Sequence, residues 1–167
     1  MKARIAIILG SDSDYPFIEN GIALLRQFGI PLEIEISSAH RTPERTLQLV
    51  KDFEARGIGV IIAAAGGAAH LPGIVASHTL IPVLGVPIHS PLSGLDSLLS
   101  MVQMPAGVPV ATFGIGAAGA TNAALFAVAL LALNDPLLSE KLHVYRSEQR
   151  EKVLEKSRKL KDKLAKG

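Results

Sequence analysis

The chain has 167 residues, enough for one domain with a substantial core, and no cysteine, which excludes disulfides, thiolate catalysis and Cys-based zinc sites. Residues 1–138 hold 7 Lys/Arg against 10 Asp/Glu, a net of −3, whereas residues 139–167 hold 10 against 5, a net of +5. The basic character therefore belongs to the tail. Its acids and bases alternate at helical spacing (Glu148, Glu151, Lys152, Glu155), the pattern of a solvated helix rather than of a nucleic-acid-binding arm.

Ala3–Leu9 reads as a buried strand that ends at Gly10-Ser11-Asp12-Ser13-Asp14. Pro16–Phe28 has helical spacing and stops at Gly29. Pro31–Ile36 is the second strand and Pro43–Arg56 the second helix, with Thr42 as its N-cap and Pro43 in the first helical position. Ile58–Ala65 is a continuous apolar run, the mark of a strand covered on both faces. A Gly-rich turn at Gly66-Gly67 leads to a short helix around Leu71–Leu80, with His78 inside it. Pro82–Pro87 and Val108–Phe113 are the fourth and fifth strands, separated by a helical piece at Asp96–Val102. Ala117–Leu133 is an Ala-rich helix, and helix resumes after Asp135-Pro136.

Strands alternating with helices predict an α/β domain: a flavodoxin-like, doubly wound, five-stranded parallel sheet in three layers, spanning 1–134. Residues 135–167 are a C-terminal helical extension whose apolar side chains need a surface, and a neighbouring subunit is as suitable as the chain's own body. Between Gly57 and Asn134 the only formally charged residue is Asp96. Glycine, proline, serine or histidine interrupts every apolar run there, so no membrane span is expected, and burial in homo-oligomer contacts is. The N-terminus lacks a long apolar run and a small-residue cleavage site, which fits a cytoplasmic protein.

In a doubly wound sheet, ligands sit outside the carboxyl ends of the strands, where Gly10–Asp14, Ser37–Arg41 and Ala65–His70 all fall. In the first loop the hydroxyls suit one phosphate and Asp14 suits sugar hydroxyls, although the same residues also serve as helix caps. In the second loop, Ser38, His40 and Arg41 combine a hydroxyl, an imidazole that titrates near neutrality and a fixed fork-shaped cation. The third loop, Gly66-Gly67-Ala68-Ala69-His70-Leu71, leaves room for a planar ligand against backbone; His70 is either a second acid/base or a structural histidine. His78, His89 and His143 are weaker candidates. No His-rich spacing or carboxylate cluster supports a metal. The Gln103-Met104-Pro105 loop is a candidate for closing over the ligand.

At Gly10–Asp14, Ser38-Ala39-His40-Arg41-Thr42-Pro43, Ala65–Gly73, Leu92–Leu98 and Val102–Pro105 the chain resembles the N5-carboxyaminoimidazole ribonucleotide mutases of purine biosynthesis. The resemblance runs from about Ile5 to Leu133. It implies an isomerase that moves CO2 from an exocyclic nitrogen to ring carbon 4 of a 5′-phosphorylated ribonucleotide, without metal or organic cofactor. It implies Ser11, Ser38 and Arg41 for the phosphate and Asp14 for the ribose. It further implies Gly66, Gly67, His70 and Leu71 around the base, His40 as general acid/base, and an octamer. There are three departures: Ala64 replaces a usual Gly and is expected to tighten the third loop, His89–Leu92 is one residue shorter, and Ala117 replaces a common Lys. The rival readings are an aminoimidazole ribonucleotide carboxylase using free CO2, a nicotinate-nucleotide carboxylase, and a non-catalytic nucleotide-binding module that has no use for His40.

Overall fold

The computed structural model describes residues 5–165. Five strands form one all-parallel sheet in the order β2-β1-β3-β4-β5: β1 Ile5–Leu9, β2 Leu32–Ile36, β3 Val60–Gly66, β4 Val83–Ile88 and β5 Ala111–Thr112. The helices are α1 Tyr15–Gln27, α2 Pro43–Ala55, α3 Leu71–Ala76, α4 Leu95–Val102, α5 Gly116–Ala132 and α6 Pro136–Ala165. This is the flavodoxin-like strand order expected from the sequence.

Side-chain alternation divides the core into two layers. Ile5, Ile7 and Leu9 of β1, with Val60 and Ile62 of β3, face α1 and α5. Ala6, Ile8, Ile61 and Ala63 face the other way, onto Val50 and Phe53 of α2, Val75 of α3 and Met101 of α4. β1, β3 and β4 are apolar throughout because both of their faces are covered. β2 is an edge strand and alternates Leu and Ile with Glu. Its two acids, Glu33 and Glu35, meet Arg56 at 2.6 Å and Arg45 at 2.8 Å, tying α2 back to the sheet.

Several boundaries differ from the sequence reading. Ala3 and Arg4 of the first strand lie outside the described residues. β5 is two residues rather than six: Gly107 is left-handed (φ +100°) and Pro109 has no N–H for a ladder, so pairing starts at Ala111. α3 ends at Ala76, which leaves His78 beyond the helix, with its Nδ1 2.9 Å from the Ile74 carbonyl.

α5 buries Ala120, Ala123, Ala124, Ala127 and Val128, a small-residue face at i, i+3, i+4, i+7 spacing. It lets α1 approach so closely that a Cβ on Gly21 would lie 2.8 Å from the Ala120 carbonyl oxygen. α6 docks through Leu138, Leu142 and Tyr145, and Lys141 donates from Nζ to the Phe28 carbonyl at 2.9 Å, which caps the end of α1. From Arg146 to Ala165 every residue is exposed, Val153, Leu154 and Leu160 among them. No described helix is long and apolar enough to cross a membrane.

Candidate active site

The carboxyl ends of β1, β2, β3 and β4 surround a half-open cavity of about 500 Å³. Every site residue expected from the sequence lines it: Ser11, Asp14, Ser38, His40, Arg41, Gly66, Gly67, His70 and Leu71.

The first loop folds as one 3-10 turn, Asp12–Asp14, before α1. Ser11 is its N-cap: the Ser13 N–H donates to Ser11 Oγ at 3.4 Å, and the Ser11 N–H donates to Asp14 Oδ2 at 2.9 Å. The capping role is therefore real, and both side chains border the cavity while filling it. Asp14 is 6% exposed. Burial pushes its carboxyl above the usual range, against the pull of the Ser11 N–H.

In the second loop Thr42 occupies the N-cap position of α2 but does not cap the helix. Its hydroxyl is engaged across the loop instead: Oγ1 donates to the Ser38 carbonyl at 3.0 Å and accepts the Ser38 N–H at 3.1 Å. The Arg41 N–H donates to Ser38 Oγ at 3.2 Å. These bonds tie Ser38–Thr42 into a compact turn that presents His40 and Arg41 outward. Arg45 and Arg56 are paired with β2, whereas Arg41 has no carboxylate partner among the described residues. Its guanidinium is available to an anionic ligand.

The third loop turns at Gly67 (φ +66°), a backbone conformation that glycine adopts without strain. The Ala69 N–H donates to the Gly67 carbonyl at 2.8 Å and the His70 N–H to the Ala68 carbonyl at 2.7 Å. This tight coil swings His70 against the second loop. His40 Nε2 and His70 Nδ1 are 2.8 Å apart, with the rings edge to face. Ala64 lies inside β3 with its side chain in the core.

The cavity has a fourth wall that sequence reasoning left among the weak candidates or missed: His89, Ser90 and Pro91, just after β4. The His89 ring lies 5.6 Å from Phe17 of α1, and a Cβ on Gly116 would meet its Nε2 at 2.9 Å. The available signal was topological, since β4 ends at the same edge as β1 and β3. Gln103-Met104-Pro105 does not close over this cavity. α4 returns the chain to the amino edge, where Gly107 and Val108 stand with Pro82 and Val83 at the start of β4. Met104 packs on Gly73 of α3. Among the described residues no group of three or more His, Cys, Asp or Glu is placed to hold a metal ion.

A paired imidazole, a guanidinium without a carboxylate partner among the described residues, and hydroxyls at the carboxyl edge of a doubly wound sheet are the groups that binding an anion and moving a proton require. The family model for AIR carboxylase matches residues 4–152. N5-carboxyaminoimidazole ribonucleotide mutase of Pyrococcus horikoshii is 54% identical over 162 residues, covering 96% of this chain and 90% of that protein. The protein of the same name from Escherichia coli K12 is 49% identical over 154 residues, covering 92% and 91%. Among solved structures, Treponema denticola PurE2-S38D superposes with a TM-score of 0.88 at 29% identity, covering 96% of this chain and 99% of that one. The chain belongs to the AIR carboxylase family.

Proposed function

We propose that this chain is an N5-carboxyaminoimidazole ribonucleotide mutase, acting in purine biosynthesis without a cofactor. The observation that carries the reading is the His40–His70 pair, set beside Arg41 in a chain about half identical to mutases along most of its length.

The reaction is balanced within one substrate. The N–C bond of the carbamate breaks, CO2 leaves, and a proton goes to the exocyclic nitrogen. Ring carbon 4 then attacks the same CO2, and its proton departs to restore aromaticity. One imidazole, His40, donates the first proton and accepts the second. Ser11, Ser38 and Arg41 hold the 5′-phosphate, and Asp14 takes the ribose hydroxyls. The glycine backbone at Gly66-Gly67, with Leu71 behind it, flanks the base and keeps CO2 near carbon 4.

The assembly proposed is a homo-oligomer in the cytoplasm, with eight subunits on the family resemblance. It is supported by the apolar side chains left exposed on the charge-poor stretch, including Leu80, Leu92, Leu95, Leu99 and Phe126. Light scattering of the purified protein tests it; a monomer overturns it.

The test of the reaction is to supply purified protein with the carbamate and, separately, with aminoimidazole ribonucleotide plus bicarbonate. Rapid conversion of the carbamate supports the mutase. Efficient product from the second mixture alone replaces it with a carboxylase that uses free CO2.

A further inference from the structure

Ser97 is one of the few fully buried polar residues, at 0% exposure, and it lies outside the cavity. It stands in the first turn of α4, and its hydroxyl joins three segments at the carboxyl edge. Ser97 Oγ donates to the carbonyl of Ile88, the last residue of β4, at 2.8 Å. The same oxygen accepts the N–H of Gly67, thirty residues away, at 2.9 Å. Gly67 is the left-handed turning point of the third loop, and its carbonyl starts the coil that ends at His70. The hydroxyl thus uses both its donor and an acceptor position to set where that coil leaves the sheet.

Ser97 is itself held in place. Its N–H donates to Asp96 Oδ1 at 2.9 Å, and the same carboxylate oxygen accepts the Ser90 hydroxyl. Ser90 Oγ in turn accepts the N–H groups of Leu92 at 3.2 Å and Gly94 at 3.1 Å, which closes the β4–α4 loop on itself. The Ser90 hydroxyl holds the Asp96 carboxyl below the usual range, so the anchor stays ionised at neutral pH. Asp96 is also the one formal charge between Gly57 and Asn134, and it sits in the first turn of a helix, where negative charge is favoured.

We infer that Ser97, steadied by Asp96, is a positioning residue that fixes the third loop and through it sets His70 against His40. The inference deepens the mutase reading and rests on it for its kinetic arm. Losing the hydroxyl leaves the half-buried Gly67 N–H without its protein acceptor and removes the bond that ties the third loop to α4. The phosphate anchors Ser11, Ser38 and Arg41 belong to other loops and stay where they are. The expected signature is therefore a loss of kcat with little change in KM.

The experiment compares Ser97→Ala, and the isosteric pair Ser97→Thr and Ser97→Val, with the parent enzyme. For Ser97→Ala, kcat is expected to fall about tenfold to a hundredfold with KM within about threefold, the scale of a small misplacement at a reacting centre. Its crystal structure is expected to show the His40–His70 contact opened beyond about 3.5 Å. Ser97→Thr, which keeps the hydroxyl, retains more activity than Ser97→Val, and this comparison decides the matter if the Ala variant does not fold. Retention of kcat, retention of the imidazole contact, or equal damage in Thr and Val each overturns the positioning role. The crystallographic distance needs no substrate, so a parent protein that leaves the carbamate unchanged sinks the mutase reading while the distance still judges Ser97.

Discussion

His40 Nε2 lies 2.8 Å from His70 Nδ1, so the two rings share a single hydrogen-bonding proton and each fixes the orientation of the other. Removing either one releases its partner. His40→Asn is expected to lower kcat by about a thousandfold, within the usual range for loss of a general acid/base. Calorimetry is expected to show ribonucleotide binding changed by no more than a few-fold, because the proposed phosphate contacts are elsewhere. Full turnover by His40→Asn would falsify the assigned chemistry.

Arg41 is the cation of the second loop without a carboxylate partner among the described residues. Arg41→Lys replaces a planar fork with a point charge, and KM is expected to rise about tenfold, with a larger rise for Arg41→Ala. Raising the salt concentration should weaken the parent more than the Ala variant. Steady-state kinetics at two ionic strengths checks this, and an unchanged KM removes Arg41 from the phosphate site.

In the proposed site, Asp14 couples stability to ribose binding in opposite directions. Burial raises its carboxyl, so the folded chain binds that proton more tightly than the unfolded chain does. The ionised form costs stability once the pH passes the raised folded value; below the ordinary carboxylate value of 3.8 both states are protonated and the cost disappears. Asp14→Asn keeps an acceptor for the Ser11 N–H and removes that cost. Its Tm at pH 7 is expected to exceed the parent's by roughly a few degrees, with the gap closing under strong acid. Its affinity for the ribonucleotide is expected to fall. Melting curves across pH read the first effect, and a lower Tm at pH 7 contradicts it.

Gly21→Ala tests how tightly α1 and α5 are packed. Alanine is the better helix former by about 1 kcal/mol. Here its Cβ would stand 2.8 Å from the Ala120 backbone carbonyl oxygen, with no flexible side chain to yield. The expected result is a net loss of about 1–3 kcal/mol in chemical unfolding, the usual cost of overpacking. A stabilised variant would show that the two helices separate freely.

What could be read from the sequence follows from where each physical constraint is local. β1, β3 and β4 were visible as apolar runs because two covered faces leave no position for a polar residue. Three cavity walls were visible because Gly-rich or Ser/His/Arg loops follow strands directly. β5 was overdrawn because an apolar run says nothing about whether Pro109 faces a partner strand. The wall at His89–Pro91 has no local signature and is recognised only once β4 is placed next to β3. Thr42 reads as a cap from residue type, but its hydroxyl is claimed by Ser38 in the folded loop. The Gln103–Pro105 loop lies at the opposite end of the sheet from the cavity, because it follows a helix, and helices here carry the chain back to the amino edge.

The exposed run of α6 past Tyr145 spans about 30 Å at 1.5 Å per residue, with one ion pair, Glu155–Lys159 at 2.6 Å, along it among the described residues. Such a lever contributes almost nothing to the folding of the body that carries it, because it buries nothing there. Cutting the chain after Arg146 should therefore leave the subunit's own unfolding curve where it was, and any change in the size of the particle would belong to assembly alone. The tail separates two quantities that are usually entangled in an oligomer, the stability of a subunit and its tendency to find others.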